Sequence, residues 1–170
     1  MELQEFTTRF SANLETIESL VTGVSEEQIR WKPSPKGWSI LEVVNHLYDE
    51  ERDDFRKRLD YLLHRPGDAW PPIDPEGWAV AREYNAKNPE DSLEQFRLER
   101  RQSLSWLHGL GEVDWDQVHE HPKIGKMRAG DLLASWLAHD YLHMRQLVGL
   151  LHAYGVELGK PYDTAYAGGW

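Results

Sequence analysis

The sequence contains no cysteine. This absence excludes disulfide bonds, iron–sulfur clusters, zinc sites with cysteine ligands and enzymes that use a thiolate nucleophile. Any metal site in this chain must therefore be built from histidine, aspartate and glutamate. A chain without disulfides is consistent with a reducing compartment, so we expect a cytoplasmic protein.

Long apolar runs are also missing. No stretch approaches the roughly 18 consecutive apolar residues of a membrane-spanning helix. The first residues, Met-Glu-Leu-Gln-Glu, lack both the basic region and the apolar region of a secretory signal peptide. We therefore expect an intracellular protein with no membrane span.

Basic residues are few and scattered. The chain has 19 lysines and arginines against 29 aspartates and glutamates, which gives a formal net charge of -10. An acidic surface repels phosphate backbones, and no stretch gathers lysine and arginine on one face. The charge balance therefore disfavours nucleic acid as a partner.

The length and composition suffice for one folded domain. A chain of 170 residues is expected to bury roughly 68–70% of its unfolded surface, and 40% of the residues are hydrophobic. The sequence has no internal repeat, no low-complexity tract and no pair of segments with the pattern of paired strands. We therefore expect a single domain over residues 1–170.

Apolar residues at three- and four-residue spacings predict four long helices. Local signals set their expected ends: Ser39 and Glu42 form a capping box, Pro89 follows a capping asparagine, and Gly155 closes the last helix. The predicted helices span about residues 2–22, 39–64, 88–110 and 129–154. With the connection 67–87, this pattern predicts an all-α four-helix bundle with a long crossover between helices 2 and 3.

Two histidines, His139 and His143, lie four residues apart on the apolar stripe of the fourth predicted helix. That spacing places their Cβ atoms about 5–6 Å apart on one face, so both rings are expected to point into the core. Two imidazoles in an apolar interior are costly without partners. A bound metal ion satisfies both, and hydrogen bonds to backbone or carboxylate groups are the alternative.

A stable metal site normally needs a third ligand from another element. The best candidate is His46, at the edge of the apolar stripe of the second predicted helix, because sites in bundle cores are built from facing helices. Three neutral imidazoles with open coordination positions suit Zn²⁺, Ni²⁺, Fe²⁺ or Co²⁺. Open positions distinguish a catalytic site from a structural one.

Three further residues are candidates for catalysis. Glu50 shares the face of His46 and can act as a ligand or as a general base, although the acidic composition favours a solvated surface carboxylate. Glu51 falls in the apolar stripe, where it can orient a histidine or form a buried salt bridge with an arginine. Gln146 follows His143 by three residues and can hydrogen-bond a substrate, a metal-bound water or another helix.

Two other features are expected to have plainer roles. His119 and His121 flank Glu120 in a polar loop, as in a second metal site, but alternating loop residues are expected to face solvent. Asp140 follows His139 in sequence but projects about 100° away from it on a helix, so we expect it to be exposed or to contact another helix.

Two motif blocks in combination are typical of a known family. The first block is Trp38-Ser39, Glu42 to Leu47 and Glu51, preceded by Trp31-Lys-Pro-Ser-Pro; the second is Leu132-Leu133, His139, His143 and Arg145-Gln146-Leu147. With these blocks the chain resembles the DinB-like (YfiT-like) family of four-helix-bundle, metal-dependent proteins over nearly its whole length. It departs from the family before the last helix, where residues 127–130 stand in place of a small polar cap.

The resemblance implies that His46, His139 and His143 bind one divalent metal ion. Zinc or nickel is the expected ion, iron, cobalt or manganese are alternatives, and a homodimer is the expected assembly. Related folds include thiol-dependent transferases, so the resemblance implies either metal-dependent transfer of a low-molecular-weight thiol or hydrolysis of a small-molecule substrate. The alternative is a non-catalytic module that binds a metal or a small molecule, for instance in a stress response.

Overall fold

Four amphipathic segments form the long helices of the computed structural model, which describes residues 2–121 and 125–170. They pack as a four-helix bundle, so the predicted all-α fold is confirmed, with one small pair of strands in addition. The elements are α1 (Leu3–Val21), α2 (Glu26–Arg30), α3 (Ile40–Asp49), a π-helical segment (Glu50–Phe55), α4 (Arg56–His64), α5 (Pro75–Ala81), α6 (Pro89–Gly109), β1 (Val118–His121), β2 (Gly125–Arg128) and α7 (Ala129–Gly159), with 3-10 turns at Tyr84–Ala86 and Ala165–Ala167.

The start of α3 is fixed by the predicted capping box. The Ser39 hydroxyl accepts a hydrogen bond from the Glu42 amide at 3.1 Å, and a Glu42 carboxylate oxygen accepts one from the Ser39 amide at 2.8 Å. These two bonds satisfy amides that have no partner within the helix. The Ser39 hydroxyl also donates to the Asn85 side chain at 2.7 Å, which ties the crossover to this end of α3.

The second long helix runs without a break from Ile40 to His64 but is not α-helical throughout, so the prediction of one α-helix over 39–64 was wrong in this detail. A π-helical turn holds more residues than an α-helical turn, so the segment Glu50–Phe55 shifts the phase of the side chains that follow. Because of this shift, four of its six residues are buried, three of them acidic: Glu50, Glu51, Asp54 and Phe55. π-Helical turns of this kind occur frequently at functional sites.

The last helix extends beyond its predicted end. Gly155 does not terminate α7, which continues to Gly159. A glycine inside a helix costs only about 1 kcal/mol relative to alanine, so it weakens a helix without stopping it. The helix ends instead just before Pro161, which has no backbone N–H to continue the hydrogen-bond pattern.

A short antiparallel pair of strands precedes α7, so the expectation of no strand pairing was wrong. β1 pairs with β2, with His119 opposite Met127. On this ladder His119 and His121 are half-buried on one face while Glu120 is exposed on the other, which corrects the expectation that both histidines face solvent. Residues 122–124, which the polar-loop prediction also covered, lie outside the described residues.

The apolar core consists of two clusters with a polar layer between them. The first cluster is built mainly on α3 and the second mainly on α4 and the start of α7. On each of the four long helical segments, a buried polar residue lies between members of the two clusters: Asn13 between Phe10 and Leu14, Glu51 between Leu47 and Phe55, Arg100 between Phe96 and Leu107, and Asp140 between Trp136 and Leu147.

Arg100 is the centre of this polar layer and is 1% exposed. Its guanidinium donates two hydrogen bonds to Asp140, both at 2.7 Å, and its Nε atom lies 2.8 Å from a Glu51 oxygen. Asn13 donates to the same Asp140 carboxylate at 3.1 Å, and the Trp136 indole donates to Glu51 at 3.0 Å. One arginine therefore links α1, the π-helical segment, α6 and α7.

No helix within the described parts of the chain is both long enough and apolar enough to cross a membrane.

Replacement of Asp140 by alanine is expected to destabilise the protein strongly. The substitution leaves the buried Arg100 with one charged partner instead of two, and removal of one partner from a buried ion pair costs roughly 3–5 kcal/mol. The free energy of unfolding from urea denaturation measures the loss. Glu5→Ala, which removes an exposed partner of Arg9, is the control and should change stability little. Equal losses in the two variants would contradict the central role of the Arg100 layer.

Candidate metal centre

The bundle brings the three predicted histidines together. His46 projects from α3, and His139 and His143 project from successive turns of α7. One nitrogen of each ring can be chosen so that all three lie within 4.8 Å of one another. The Nε2 atom of His139 lies 3.3 Å from Nε2 of His46 and 3.0 Å from Nε2 of His143.

These separations fit a single metal ion. Nitrogens that each lie about 2.0–2.1 Å from one ion are about 2.9–3.4 Å apart, depending on the coordination angle. The observed 3.0 and 3.3 Å fall within this interval. Three imidazole donors also leave coordination positions for water or substrate, as in catalytic rather than structural zinc sites.

The side chain of Gln146 determines which nitrogen of His143 faces the cluster. The Gln146 carbonyl oxygen lies 2.8 Å from Nδ1 of His143. Because this oxygen can only accept a hydrogen bond, Nδ1 of His143 carries the proton and Nε2 presents a lone pair. A hydrogen bond on the outer nitrogen is the usual way to orient a metal-binding histidine.

A buried carboxyl group faces the outer nitrogen of His46. Nδ1 of His46 lies 3.9 Å from a Glu50 oxygen, and neither atom has a hydrogen-bond partner among the described residues. Buried polar atoms of this kind are rarely left unpaired in stable proteins. A small closure would let Nδ1–H donate to Glu50, which would direct Nε2 of His46 toward the other two rings.

All three imidazoles are held in their neutral form. Burial, with added repulsion from the neighbouring histidines, lowers the pKa of His46 to about 2. Burial, then His143 and Arg100, lowers the pKa of His139 to about 3, and burial lowers the pKa of His143. Neutral imidazole is the form that binds a metal, so no proton has to be removed near neutral pH.

Glu50 is 4% exposed, so the expectation of a solvated surface carboxylate was wrong. The crossover packs against α3, and Asp54 and Arg58 lie beside the carboxyl group. Burial, followed by repulsion from Asp54, raises the pKa of Glu50 to about 8. A carboxyl group with a pKa near neutrality is suited to give and accept a proton.

Glu51 and Asp140 have structural roles. Of the two alternatives for Glu51, the structure shows the salt bridge with an arginine, Arg100, together with the hydrogen bond from Trp136. Asp140 is fully buried and contacts other helices through Arg100 and Asn13, which agrees with the interhelical alternative. Both carboxylates therefore direct their hydrogen bonds into the Arg100 layer instead of toward the histidine rings.

Two histidines of the cluster, His46 and His143, line an open cavity of about 470 Å³. The Trp38 ring packs against His46 with centroids 4.8 Å apart, and Phe55 packs against His139 at 5.0 Å. The sequence did not identify Lys36 and Gly37 before α3 or Pro75 and Glu76 at the start of α5, because no local pattern links these segments to the histidines. The lining consists of Lys36, Gly37, Trp38, His46, Pro75, Glu76, His143 and Gln146.

Curated relatives and a solved structure resemble this chain. A "putative metal-dependent hydrolase" of Oceanobacillus iheyensis is 23% identical over 134 residues, which cover 79% of this chain and 77% of the relative. A protein of the same description from Bacillus licheniformis is 23% identical over 133 residues, covering 77% and 74%.

The structural neighbour has the same fold. It is YfiT from Bacillus subtilis, described as a probable metal-dependent hydrolase with an unusual four-helix bundle topology. The two structures superimpose with a TM-score of 0.79, at 17% sequence identity and with 91% of this chain and 88% of YfiT covered. The sequence profile of the DinB superfamily matches residues 9–147, a range that includes all three histidines of the cluster. The chain therefore belongs to the DinB superfamily.

Proposed function

We propose that this protein is a metal-dependent hydrolase of a small-molecule substrate, with one divalent ion held by His46, His139 and His143. The observation that carries the proposal is the convergence of three neutral imidazoles, two of which line an open cavity, beside a buried carboxyl group. Zinc or nickel is the ion expected from the family resemblance, and both accept nitrogen donors of this kind. The relatives described as metal-dependent hydrolases support the same reaction class.

A divalent ion bound at this cluster supplies Lewis-acid activation of a water molecule and of a substrate oxygen. Glu50 accepts and returns the proton of the hydrolytic reaction, because its pKa of about 8 allows both states near neutral pH. Gln146 acts through His143, whose ring it orients by the hydrogen bond to Nδ1. Trp38 packs on His46 and excludes water from one side of the ring.

Glu51 supports the site indirectly. It accepts a hydrogen bond from Trp136, one turn of α7 before His139, and it pairs with Arg100. It therefore holds the π-helical segment against α7, so that Glu50 stays beside His46. A low-molecular-weight thiol as substrate and a homodimer remain predictions from the family resemblance. A cytoplasmic location remains a prediction from the composition of the chain.

The protein purified without a histidine tag is expected to contain about one divalent ion per chain, measured by elemental analysis. His143→Ala removes one of three ligands and should weaken binding of added Zn²⁺ by at least about 100-fold. His64→Ala is the matched control, because His64 lies outside the cluster and pairs with Asp60. Purified protein that binds no ion, or equal affinities in both variants, would contradict the proposed site.

Replacement of Glu50 by glutamine is expected to lower kcat by about 10²- to 10⁴-fold while one metal ion stays bound, because the amide cannot exchange a proton. The assay measures hydrolysis of a panel of ester and amide substrates by metal-loaded protein. Glu15→Gln, an exposed acid on α1, is the control. Full activity in Glu50→Gln would eliminate Glu50 as the proton acceptor. For the original metal-loaded protein, activity only with added thiol would indicate thiol transfer. No turnover of any substrate would indicate a binding module.

Glu50→Gln should also gain stability relative to the original protein as the pH rises. The folded-state pKa of Glu50 is about 8 against an ordinary 4.5, so its contribution to stability is complete below pH 4.5. That contribution is lost progressively as the pH rises from 4.5 through 8, at up to about 1.4 kcal/mol per pH unit. Urea denaturation of both metal-free proteins between pH 5 and 8.5 measures the difference. A difference that does not change with pH would show that Glu50 ionises normally.

A further inference from the structure

A second cavity, of about 590 Å³, lies between the crossover and the strand pair. Pro75 lines this cavity and also the cavity of the histidine cluster, so the two share a wall. The second cavity has an apolar side formed by the crossover and a polar side formed by α4 and β1. Its main lining residues are Arg58, Trp70, Pro72, Ile73, His119 and His121.

Arg58 presents unused hydrogen-bond donors to this cavity. Its side chain is 15% exposed, and its Nε atom lies 2.8 Å from Asp54. The guanidinium carbon lies 5.0 Å from the centre of the Trp70 ring. Within residues 2–121 and 125–170, no side chain or backbone group accepts a hydrogen bond from Nη1 or Nη2 of Arg58.

The position of the guanidinium is fixed before any ligand binds. Trp70 stacks on His119 with centroids 4.0 Å apart and planes 7° apart, so the indole contacts both the imidazole and the guanidinium of Arg58. Asp54 forms an ion pair with the Nε edge of Arg58 and also lies beside Glu50. A planar fork of N–H groups held in this way matches a carboxylate group.

The lining contains one permanent cation, Arg58, whose Nη groups remain available to an anion although Asp54 already pairs with Nε. The His119 ring also lines the cavity and can donate a hydrogen bond at neutral charge. Glu120 is the acidic residue at the rim, where its exposed carboxylate is screened by water. Pro71, Pro72 and Ile73 offer an apolar surface to the remainder of a ligand.

We propose that the cavity between the crossover and the strand pair is a binding site for a small organic carboxylate, whose charged group is held by Arg58 and whose apolar part packs on the crossover prolines. The site is separate from the histidine cluster. It does not depend on the proposed hydrolase function, because none of its contacts involves the three histidines. The connection between the sites is the contact of Asp54 with both Arg58 and Glu50.

Calorimetric titration with benzoate and with benzamide, its uncharged analogue of the same shape, tests the site in the full-length protein. Benzoate is expected to bind with a dissociation constant on the order of 1 mM, and benzamide at least about tenfold more weakly. Arg58→Gln should weaken benzoate binding at least about tenfold. Arg65→Gln is the matched control, since Arg65 also stacks on an aromatic ring but lies outside the cavity.

Two further variants test the role of the Arg58 charge and the independence of the two cavities. Arg58→Lys keeps the charge beside Asp54 and should retain a weakened preference for benzoate; it decides the question if Arg58→Gln does not fold. His143→Ala should bind benzoate as tightly as the original protein. Three results would each overturn the proposal. The first is equal binding of benzoate and benzamide, and the second is unchanged benzoate binding in the Arg58 variants. The third is loss of benzoate binding in His143→Ala.

Discussion

The buried ion pairs of Arg100 are the constraint on which the arrangement of the helices depends. A guanidinium ion cannot be buried in an apolar core without charged partners, and this one finds Asp140 on α7 and Glu51 on the π-helical segment. Because neighbouring helical residues project about 100° apart, the direction of Asp140 also sets the direction of His139. Glu51 in the same way fixes the position of Glu50. A structural layer thus places the side chains of the candidate metal centre.

Burial has opposite consequences for the charge of side chains in the metal centre and in the Arg100 layer. In the layer, every charge is paired, and the two carboxylates and Asn13 surround Arg100. In the centre, burial instead keeps groups uncharged: it lowers the pKa of His46 and His139 and raises that of Glu50. The result is a set of neutral donors beside a carboxyl group that can hold or release a proton near neutral pH. A cation that enters such a site meets lone pairs without having to displace protons.

The sequence predicted the parts of the fold that follow from regular patterns. Helical periodicity located the four long helices, and the spacing of His139 and His143 indicated a common face. The π-helical segment could not be predicted, because its acidic residues resemble a solvated surface; for the same reason Glu50 was expected to be exposed. Arg100 carried no local signal, since its two partners lie 49 and 40 positions away in sequence. The cavity mouth combines the loop before α3 with the start of α5, two segments that only the folded chain brings together.

X-ray absorption spectroscopy of the zinc-loaded protein tests most directly whether one ion lies among the three rings. The expected spectrum has three imidazole nitrogens at about 2.0–2.1 Å, with the remaining position or positions filled by oxygen. His46→Ala, which alters only the ligand from α3, should reduce the imidazole contribution by one. A spectrum dominated by oxygen donors, or one that is the same in the His46→Ala variant, would contradict the proposed metal centre.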